Sequence, residues 1–581
     1  MCGFVGIIDK KKNRNYTSAI NILLDSIKHR GPDEQNLLID KKKGIYLGFC
    51  RLAMIDIRGS AQPAYSYNND ILIMFNGEIY NYINLRFDLE KQGYSFTTTG
   101  EVEVLIKLYE IYGEAFVDML DGMFAICIVD LKKTKTILFR DRFGIKPIYY
   151  YENNEMLVFS SELKALRNMI PRKIDFFSVY LYLNLRFIPA PYTIYKNAFK
   201  VKAGEYVVFS DLDKTNNQYT DYKKEYAYHP FSCEEFSYIV NENIYSTFKT
   251  SDVPLGIFLS GGIDSGIIAT VLADALQKQV NAAYSIDYLD MVQSDEIRIA
   301  NEIATSLKIP YHNIQLEDHI LDYLNKSVFS LDEPFYSTVS MSTMKLSEQA
   351  VKDVKGVLTG DGSDELVYGY QYIRNALSKT NVENMFDAYF QGIGWLKYIS
   401  ASELMKEPIF TQKDVIRVIL EDCQVDSNPK ETLRRIELFK RLPDYHLARI
   451  DRLSMRNGLE VRVPYLRTQY VDYMLSVAAD TFVMNNDPKF LLKKGMKDRL
   501  PTALRRTYKK PFTAPVKRWI ENDLKSDIIS TFHDSLSLET MGLDKKSVLN
   551  VLNQYQGQYA DVSNVWGIYL LLKWCKRDLQ D

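Results

Sequence analysis

The spacing of hydrophobic residues changes along this 581-residue chain, and that change constrains the fold more than any other feature. Up to residue 210, short apolar or alternating runs are broken by Asn, Gly and Asp: ILIMFNGEIY (71–80), MFAICIVD (123–130), TILFRDRFG (136–144) and PIYYYENNEMLVFSS (147–161). Such runs predict antiparallel strands. Two stretches follow a helical period instead. One spans 18–30, with Ile20, Leu23, Leu24 and Ile27 on one face, and the other spans 102–113, with Val104, Leu105, Leu108 and Ile111. Strands and helices that segregate in this way predict an α+β sandwich over residues 1–210. Residues 211–235 are polar, aromatic and non-periodic, and read as a linker. From 236 to 581 the pattern alternates. Strand-like PLGIFL (254–259), NAAYSID (281–287) and KGVLTG (355–360) are interleaved with helical 266–277 and 296–307. Alternation of this kind predicts an α/β parallel sheet wound with helices. The remainder, from 380, is mostly helical and ends in an apolar helix, VWGIYLLLKWC (565–575), expected to pack under that sheet.

Length and composition agree with two or more domains, because single cores stop growing near about 250–300 residues. Hydrophobic residues make up 46% and charged residues 25%, with a net charge of −2. These values describe an ordinary globular protein and exclude a disordered, collagen-like or rod-like chain. They also argue against nucleic acid as a partner. The six cysteines (Cys2, Cys50, Cys127, Cys233, Cys423, Cys575) are scattered without a CxxC, so neither a zinc site nor a disulfide framework is expected, and a reducing cytoplasm fits. The N-terminus lacks the features of a signal peptide, and no run approaches 18 apolar residues, so no membrane association is expected.

Two segments carry phosphate chemistry. SGGIDS (260–265) joins a strand to a helix. Two glycines permit a tight turn, and the hydroxyls of Ser260 and Ser265 with free N–H groups at the helix start form an anion site. No GK[ST] follows, so it is not a Walker loop; it resembles the pyrophosphate loop of ATP pyrophosphatases. LTGDGSDEL (358–366) also follows a strand. Asp361, Asp364 and Glu365 repel one another unless a cation neutralises them, and Mg²⁺ with ATP phosphates does so.

Cys2 follows the initiator Met. If Met is removed, the α-amine becomes the chain terminus, with a pKa near ~7.7–8, and can act as base for its own thiol without a histidine. The only histidine in the first 228 residues is His29.

MCGFVGI (1–7), HRGPD (29–33), RLAMID (51–56), NGEIYN (76–81), LDGMFA (120–125) and RDRFGIKPIYY (140–150) together resemble the class II glutamine amidotransferase domain, an N-terminal-nucleophile hydrolase. Joined in order to SGGIDS, GDGSDE, LEVRVPYL (459–466) and YKKPFTAPVKRW (508–519), the whole chain resembles the glutamine-hydrolysing asparagine synthetase family.

That resemblance implies a set of roles. Cys2 attacks the glutamine amide carbon, Asn76 and Gly77 form the oxyanion hole, and Arg51 grips the glutamine carboxylate bidentately. Glu78 and Glu101 receive the α-ammonium; the family has Asp at the latter position. Ser260, Gly261, Gly262, Asp264, Ser265, Ser285, Ile286, Thr359 and Gly360 contact ATP, and Asp264 and Asp364 hold Mg²⁺. Asp361 stands where the family has Glu at the acceptor, and Lys509, or its neighbour Lys510, stabilises the activated intermediate. Arg467 replaces a family Asp near the acceptor side.

The implied reaction hydrolyses glutamine, adenylates the aspartate side-chain carboxylate with ATP–Mg²⁺ and displaces AMP with ammonia. Members are often dimers, so a homodimer is one implied assembly. Asp361 and Arg467 keep a second acceptor open, such as a sugar acid or a biosynthetic intermediate. A cyclase of the β-lactam or lasso-peptide kind typically loses the glutaminase nucleophile, whereas Cys2, Arg51, Asn76 and Gly77 are all present. A non-catalytic binding protein would require decay of these positions.

Overall fold

The computed structural model describes the chain except residues 1, 58, 211–212, 277–279, 289–294, 317–318, 424–427, 484–486, 506–513 and 581, and the side chains of 275–276 and 580. The first part contributes twelve strands: β1 (Cys2–Asp9), β2 (Glu34–Asp40), β3 (Ile45–Arg51), β4 (Ala64–Tyr65), β5 (Ile71–Ile79), β6 (Gly122–Asp130), β7 (Lys135–Arg140), β8 (Tyr149–Glu152), β9 (Met156–Ser160), β10 (Ala198–Lys200), β11 (Glu205–Ser210) and β12 (Lys214–Gln218). They form two six-stranded sheets, in the orders β10-β8-β9-β1-β3-β2 and β12-β11-β7-β6-β5-β4. Neighbouring strands run antiparallel. The sheets pack face to face through Phe4, Leu47, Phe49, Leu72, Met74, Cys127, Leu138 and Phe209. The outer face of the second sheet buries Ile73, Phe75, Ile126 and Phe139 against Val104, Leu105 and Leu108 of the helix Glu101–Tyr112. The outer face of the first packs Val5, Ile7 and Tyr46 with Ile20, Leu23, Leu24 and Ile27 of the helix Thr17–Ile27. Both faces of the central strands are therefore covered. That is why β5 reads as one continuous apolar run rather than an alternation, and all nine of its residues are buried.

β12 lies inside the segment expected to be a linker, 211–235. Its sequence, KTNNQ, pairs with β11 through the main chain and through Asn216, which donates to Glu205 at 2.7 Å, and an edge strand facing water needs no apolar residue. Composition therefore could not reveal it. Lys214 further anchors the strand by lying over the rings of Tyr150 and Phe199.

Past the helix Cys233–Lys249 the chain forms β13 (Leu255–Phe258), β14 (Ala283–Tyr288), β15 (Tyr311–Leu316), β16 (Gly356–Leu358) and β17 (Glu460–Arg462). These make one parallel sheet in the order β15-β14-β13-β16-β17. The chain runs outward from β13 to β15, then returns to the other side of β13 at β16. The crevice at the carboxyl ends of β13 and β16 is thus the switch point at which open α/β sheets bind ligands.

The apolar C-terminal stretch is the helix Tyr559–Gln580. It packs against the helices Ile320–Ser330, Val516–Glu521, Lys525–Phe532, Ser535–Thr540 and Lys545–Asn553, not under the sheet as expected. Gly567 lets Trp395 lie against it, since a Cβ there would sit 2.3 Å from the indole ring, and Tyr182 of the first part donates to the Gly567 carbonyl at 2.8 Å. Its apolar face is therefore used up by aromatic side chains. Among the described residues no helix is long and apolar enough to cross a membrane.

The two parts share one core and a ring of buried ion pairs across their seam: Arg30 with Asp451 (3.0 Å), Lys164 with Asp332 (2.7 Å), Lys200 with Glu333 (2.8 Å), Arg140 with Asp444 (3.4 Å) and Arg462 with Glu78 (3.3 Å). Removing one partner of such a pair leaves an uncompensated buried charge, which costs about 3–5 kcal/mol.

Candidate active sites

The strand register builds the first site. Cys2 on β1 stands opposite Arg51 on β3. The facing sheet supplies Asn76, Gly77 and Glu78 from β5, and the helix Glu101–Tyr112 supplies Glu101 from its first turn. All but Asn76 line one small pocket with Leu52, Met54, Ser60 and Gln62. Cys2 is only 8% exposed. Its thiol lies 4.0 Å from the Leu52 carbonyl, and burial pushes its pKa up. The Cys2 backbone N–H donates to Asn76 Oδ1 at 2.9 Å, which turns the Asn76 amide nitrogen away from Cys2 N and leaves it buried with no partner among the described residues. At Gly77 a Cβ would lie 1.9 Å from the Met123 carbonyl oxygen, so only glycine fits this close strand contact.

Arg51 lines the pocket while its guanidinium donates to the Ile57 carbonyl at 3.0 Å and the Asp56 carbonyl at 2.7 Å. Glu101 accepts from the Ile79 N–H at 2.6 Å. Burial pushes Glu78 up to about 8; Arg462 opposes the shift and Glu460 adds to it. Burial first, then Glu78, raises Glu101 well above the usual carboxylate range. The pocket therefore holds two carboxyl groups whose ionisation burial opposes, Glu78 against the pull of Arg462, and whose charged forms a ligand cation would favour.

The second site occupies the switch-point crevice. In the loop after β13, Gly261 has φ +75° and a Cβ there would lie 2.2 Å from the Glu296 carbonyl oxygen. Ser265 Oγ accepts from the Ser260 N–H at 3.1 Å, and Ser260 Oγ accepts from the Gly262 N–H at 3.3 Å, which curls the loop over the start of the helix Ile263–Leu276. In the loop after β16, Gly360 lies against Asp264: a Cβ would be 2.9 Å from the Asp264 Cβ. The two loops thus touch. Thr359 donates its hydroxyl to Asp361 at 2.7 Å. Ser285 on β14 donates to the Leu259 carbonyl, and Ile286 beside it is buried.

Asp264 and Asp364 converge on one ammonium group. Lys489 Nζ lies 2.8 Å from Asp264 Oδ1 and 2.6 Å from Asp364 Oδ1, while the Ser363 hydroxyl donates to Asp264 at 2.6 Å. Lys489 is 1% exposed. Sequence motifs did not reveal it, because it lies 125 positions from Asp364 in a segment with no loop signature (489 − 364). Glu365 follows. Burial, then Asp364, pushes it up to about 8, and the Tyr370 hydroxyl donates to it at 2.7 Å.

Two sequence expectations need comment. Lys509 and Lys510 lie outside the described residues. Arg467 does not face the crevice. It bonds Asp121 Oδ2 at 2.6 Å, donates to Ser246 Oγ at 2.7 Å and stacks over Tyr80 at 4.6 Å. Since Asp121 belongs to the turn leading into β6, Arg467 is a clamp between the two parts rather than a cation at the acceptor. Within LEVRVPYL, Arg462 and Glu460 carry no spacing signal of their own. Arg462 pairs with both Glu460 (2.6 Å) and Glu78, a contact visible only once β17 is seen to abut the β5 sheet.

A glutamine amidotransferase domain model matches residues 1–220, and an asparagine synthase model matches residues 246–576. The chain is 29% identical over 626 aligned residues to "Asparagine synthetase [glutamine-hydrolyzing] 1" of Bacillus subtilis (strain 168), covering 99% of this chain and 96% of that protein. It is 27% identical over 586 residues to "Asparagine synthetase [glutamine-hydrolyzing] 3" of the same organism, covering 93% of each. Among solved structures, glutamine phosphoribosylpyrophosphate amidotransferase from B. subtilis aligns at 18% identity over 54% of this chain and 65% of that one, with a TM-score of 0.29, too low to argue from.

Proposed function

The chain belongs to the asparagine synthase family, and we propose that it is a glutamine-dependent asparagine synthetase with an N-terminal-nucleophile glutaminase in residues 1–210. The observation that carries this reading is the buried, unpartnered Asn76 amide beside Cys2. A preorganised donor with nothing to bind in the free protein is what a developing oxyanion requires, and one such donor is worth roughly 3–4 kcal/mol.

In the first half-reaction Cys2 attacks the glutamine amide carbon, Asn76 Nδ2 and the Gly77 N–H receive the oxyanion, and ammonia leaves with the thiol proton; water then cleaves the glutamyl thioester, releasing glutamate and restoring the thiol. Glu78 and Glu101 take the α-ammonium. Arg51 releases its loop carbonyls to hold the carboxylate, as a planar guanidinium can. In the second, the Ser260–Ser265 loop, with Ser285, Ile286, Thr359 and Gly360, holds ATP. The aspartate carboxylate attacks the α-phosphorus, pyrophosphate leaves, and ammonia displaces AMP from the acyl-adenylate. Asp264 and Asp364 are two converging carboxylates that would hold a divalent cation once the Lys489 ammonium now lying between them moves aside. Mg²⁺ bound there would neutralise the charge of the departing pyrophosphate. Lys509 remains assigned to the intermediate by family resemblance alone.

Passage of ammonia directly from the buried Cys2 pocket to the crevice would keep it out of bulk water, where it would protonate, and exclusion of water there would shield the adenylate from hydrolysis. The proposal includes a cytoplasmic location and a homodimer. A second reading, amidation of another carboxylate, is favoured by one observation: Asp361 is shorter than the family glutamate and is turned back onto Thr359. Pyrophosphate release measured with glutamine, ATP, Mg²⁺ and a panel of carboxylates separates the two. Aspartate is expected to give the highest rate, and release driven only by another acid would sink the asparagine assignment.

A further inference from the structure

A pocket of about 580 Å³ opens on the seam between the two parts, away from both crevices. Such a volume suits a small metabolite. One wall is Lys28, His29, Pro32 and Gln35 from the first part; the other is Tyr323, Lys326, Met344, Glu348, Arg456 and Asn457 from the second. Its charge is unbalanced. The lone carboxylate, Glu348, already accepts the Tyr323 hydroxyl at 2.6 Å, and Lys345 donates to that same hydroxyl at 2.9 Å. Lys28 pairs with Asp25, but among the described residues Lys326 and Arg456 form no ion pair and rest only over the rings of Tyr323 and Phe329. Most seam cations in this chain are paired, so two unpaired ones converging on a cavity are unusual within it.

The pocket walls also connect to the machinery. His29 Nε2 lies 3.1 Å from Glu162, Glu162 accepts from Arg30 Nη1 at 2.9 Å, and Arg30 Nε donates to the Cys2 carbonyl at 3.1 Å. Arg30 Nη2 also reaches Asp451, on the helix Ala448–Met455 that ends directly before Arg456. Gly458, at φ +70° and against Pro32, holds the two walls in close contact.

We infer that this seam pocket binds a small phosphate-bearing molecule, its phosphate on Lys326, Arg456 and Lys28 and its hydroxyls on Gln35 and Asn457, and that occupancy is felt at Cys2 through His29, Glu162 and Arg30. A phosphate matches the charge left over: Lys326 and Arg456 lack a carboxylate partner among the described residues, Lys28 faces them from the other wall, and Glu348 is already engaged by Tyr323. The binding half is independent of the proposed activity; the relay half rests on Cys2 being the nucleophile.

The test is titration of the full chain with inorganic phosphate at low ionic strength, followed by calorimetry and by hydrogen exchange, on the wild type and on Lys326→Glu and Lys326→Glu/Arg456→Gln. Lys326 is exposed, so the single variant is expected to fold. The wild type is expected to bind saturably, with protection over residues 28–35 and 320–330, and the single variant to bind about tenfold more weakly. Equal binding by both variants, protection confined to residues 260–265, or no saturable binding overturns the site. Glutamate release from glutamine, measured alongside, is expected to change its KM on phosphate addition in the wild type and not in the double variant. Binding without any such change overturns the relay and leaves the glutaminase assignment untouched.

Discussion

The two candidate sites are built differently. The switch-point crevice draws each of its described groups from the second part of the chain: the loops after β13 and β16, and Lys489. The Cys2 pocket borrows. Its Glu78 is held by Arg462, and Arg30 on the Cys2 carbonyl is held by Asp451, both from the second part. One site is therefore self-contained and the other is completed across the seam. Damage to the seam should reach glutamine chemistry first and ATP chemistry second.

Three substitutions put this asymmetry at risk. Cys2→Ala should lower glutamine-driven amide formation by about 10³-fold or more while free ammonia still supports it. Loss of the ammonia-driven rate as well would mean the sites cannot be separated. Arg462→Leu removes the cation that Glu78 and Glu460 share in the interior and should cost about 3–5 kcal/mol in denaturant unfolding. Its glutamine KM should rise further than its ATP KM, and equal rises would erase the contrast. Lys489→Met should cut kcat/KM for ATP by about 10–100-fold, as loss of a charge-assisted contact does, with glutamate release unchanged. A fall in both would make the crevice as dependent on the seam as the pocket is.

The smallest effect is a pH dependence. Burial pushes the Glu78 carboxyl from about 4.5 up to about 8 in the free pocket. A raised acid contributes stability fully below pH 4.5, and that contribution is lost as pH rises through about 8. An incoming ammonium reverses the shift. Glutamine binding at pH 7 should therefore release a proton, and the glutamine KM should fall a few-fold between about pH 6 and 8. Calorimetry in buffers of different ionisation enthalpy measures the proton; Glu78→Gln should reduce it and Glu78→Gln/Glu101→Gln should remove it.

Much of this was legible in the residues. The apolar runs at 71–80, 123–130 and 147–161 became β5, β6 and the β8–β9 hairpin, and the alternation after residue 236 became a parallel sheet. Local patterning encodes those elements, because each buries a face along its own length. Three features were not legible, for three reasons. β12 is polar because an edge strand needs only main-chain partners. The C-terminal helix is apolar, but nothing in its sequence says whether a sheet or other helices will cover it. Lys489 and Arg462 act through contacts made across hundreds of positions, and spacing carries no record of those. Arg467 shows the same limit from the other side: a charge change beside a motif was read as chemistry, while its guanidinium serves the seam.

Arg462 has one more consequence. Its side chain touches Glu78 in the Cys2 pocket, while its carbonyl accepts from the Thr359 N–H, at 3.0 Å, in the loop after β16. One amino acid thus belongs to both workshops at once. The chain is a tandem fusion on paper, yet it cannot be cut and re-spliced like one. A foreign amidotransferase grafted onto residues 236–581 would have to bring its own acid to meet that guanidinium, or leave Glu460 as the remaining carboxylate on a cation directly behind the loop after β16.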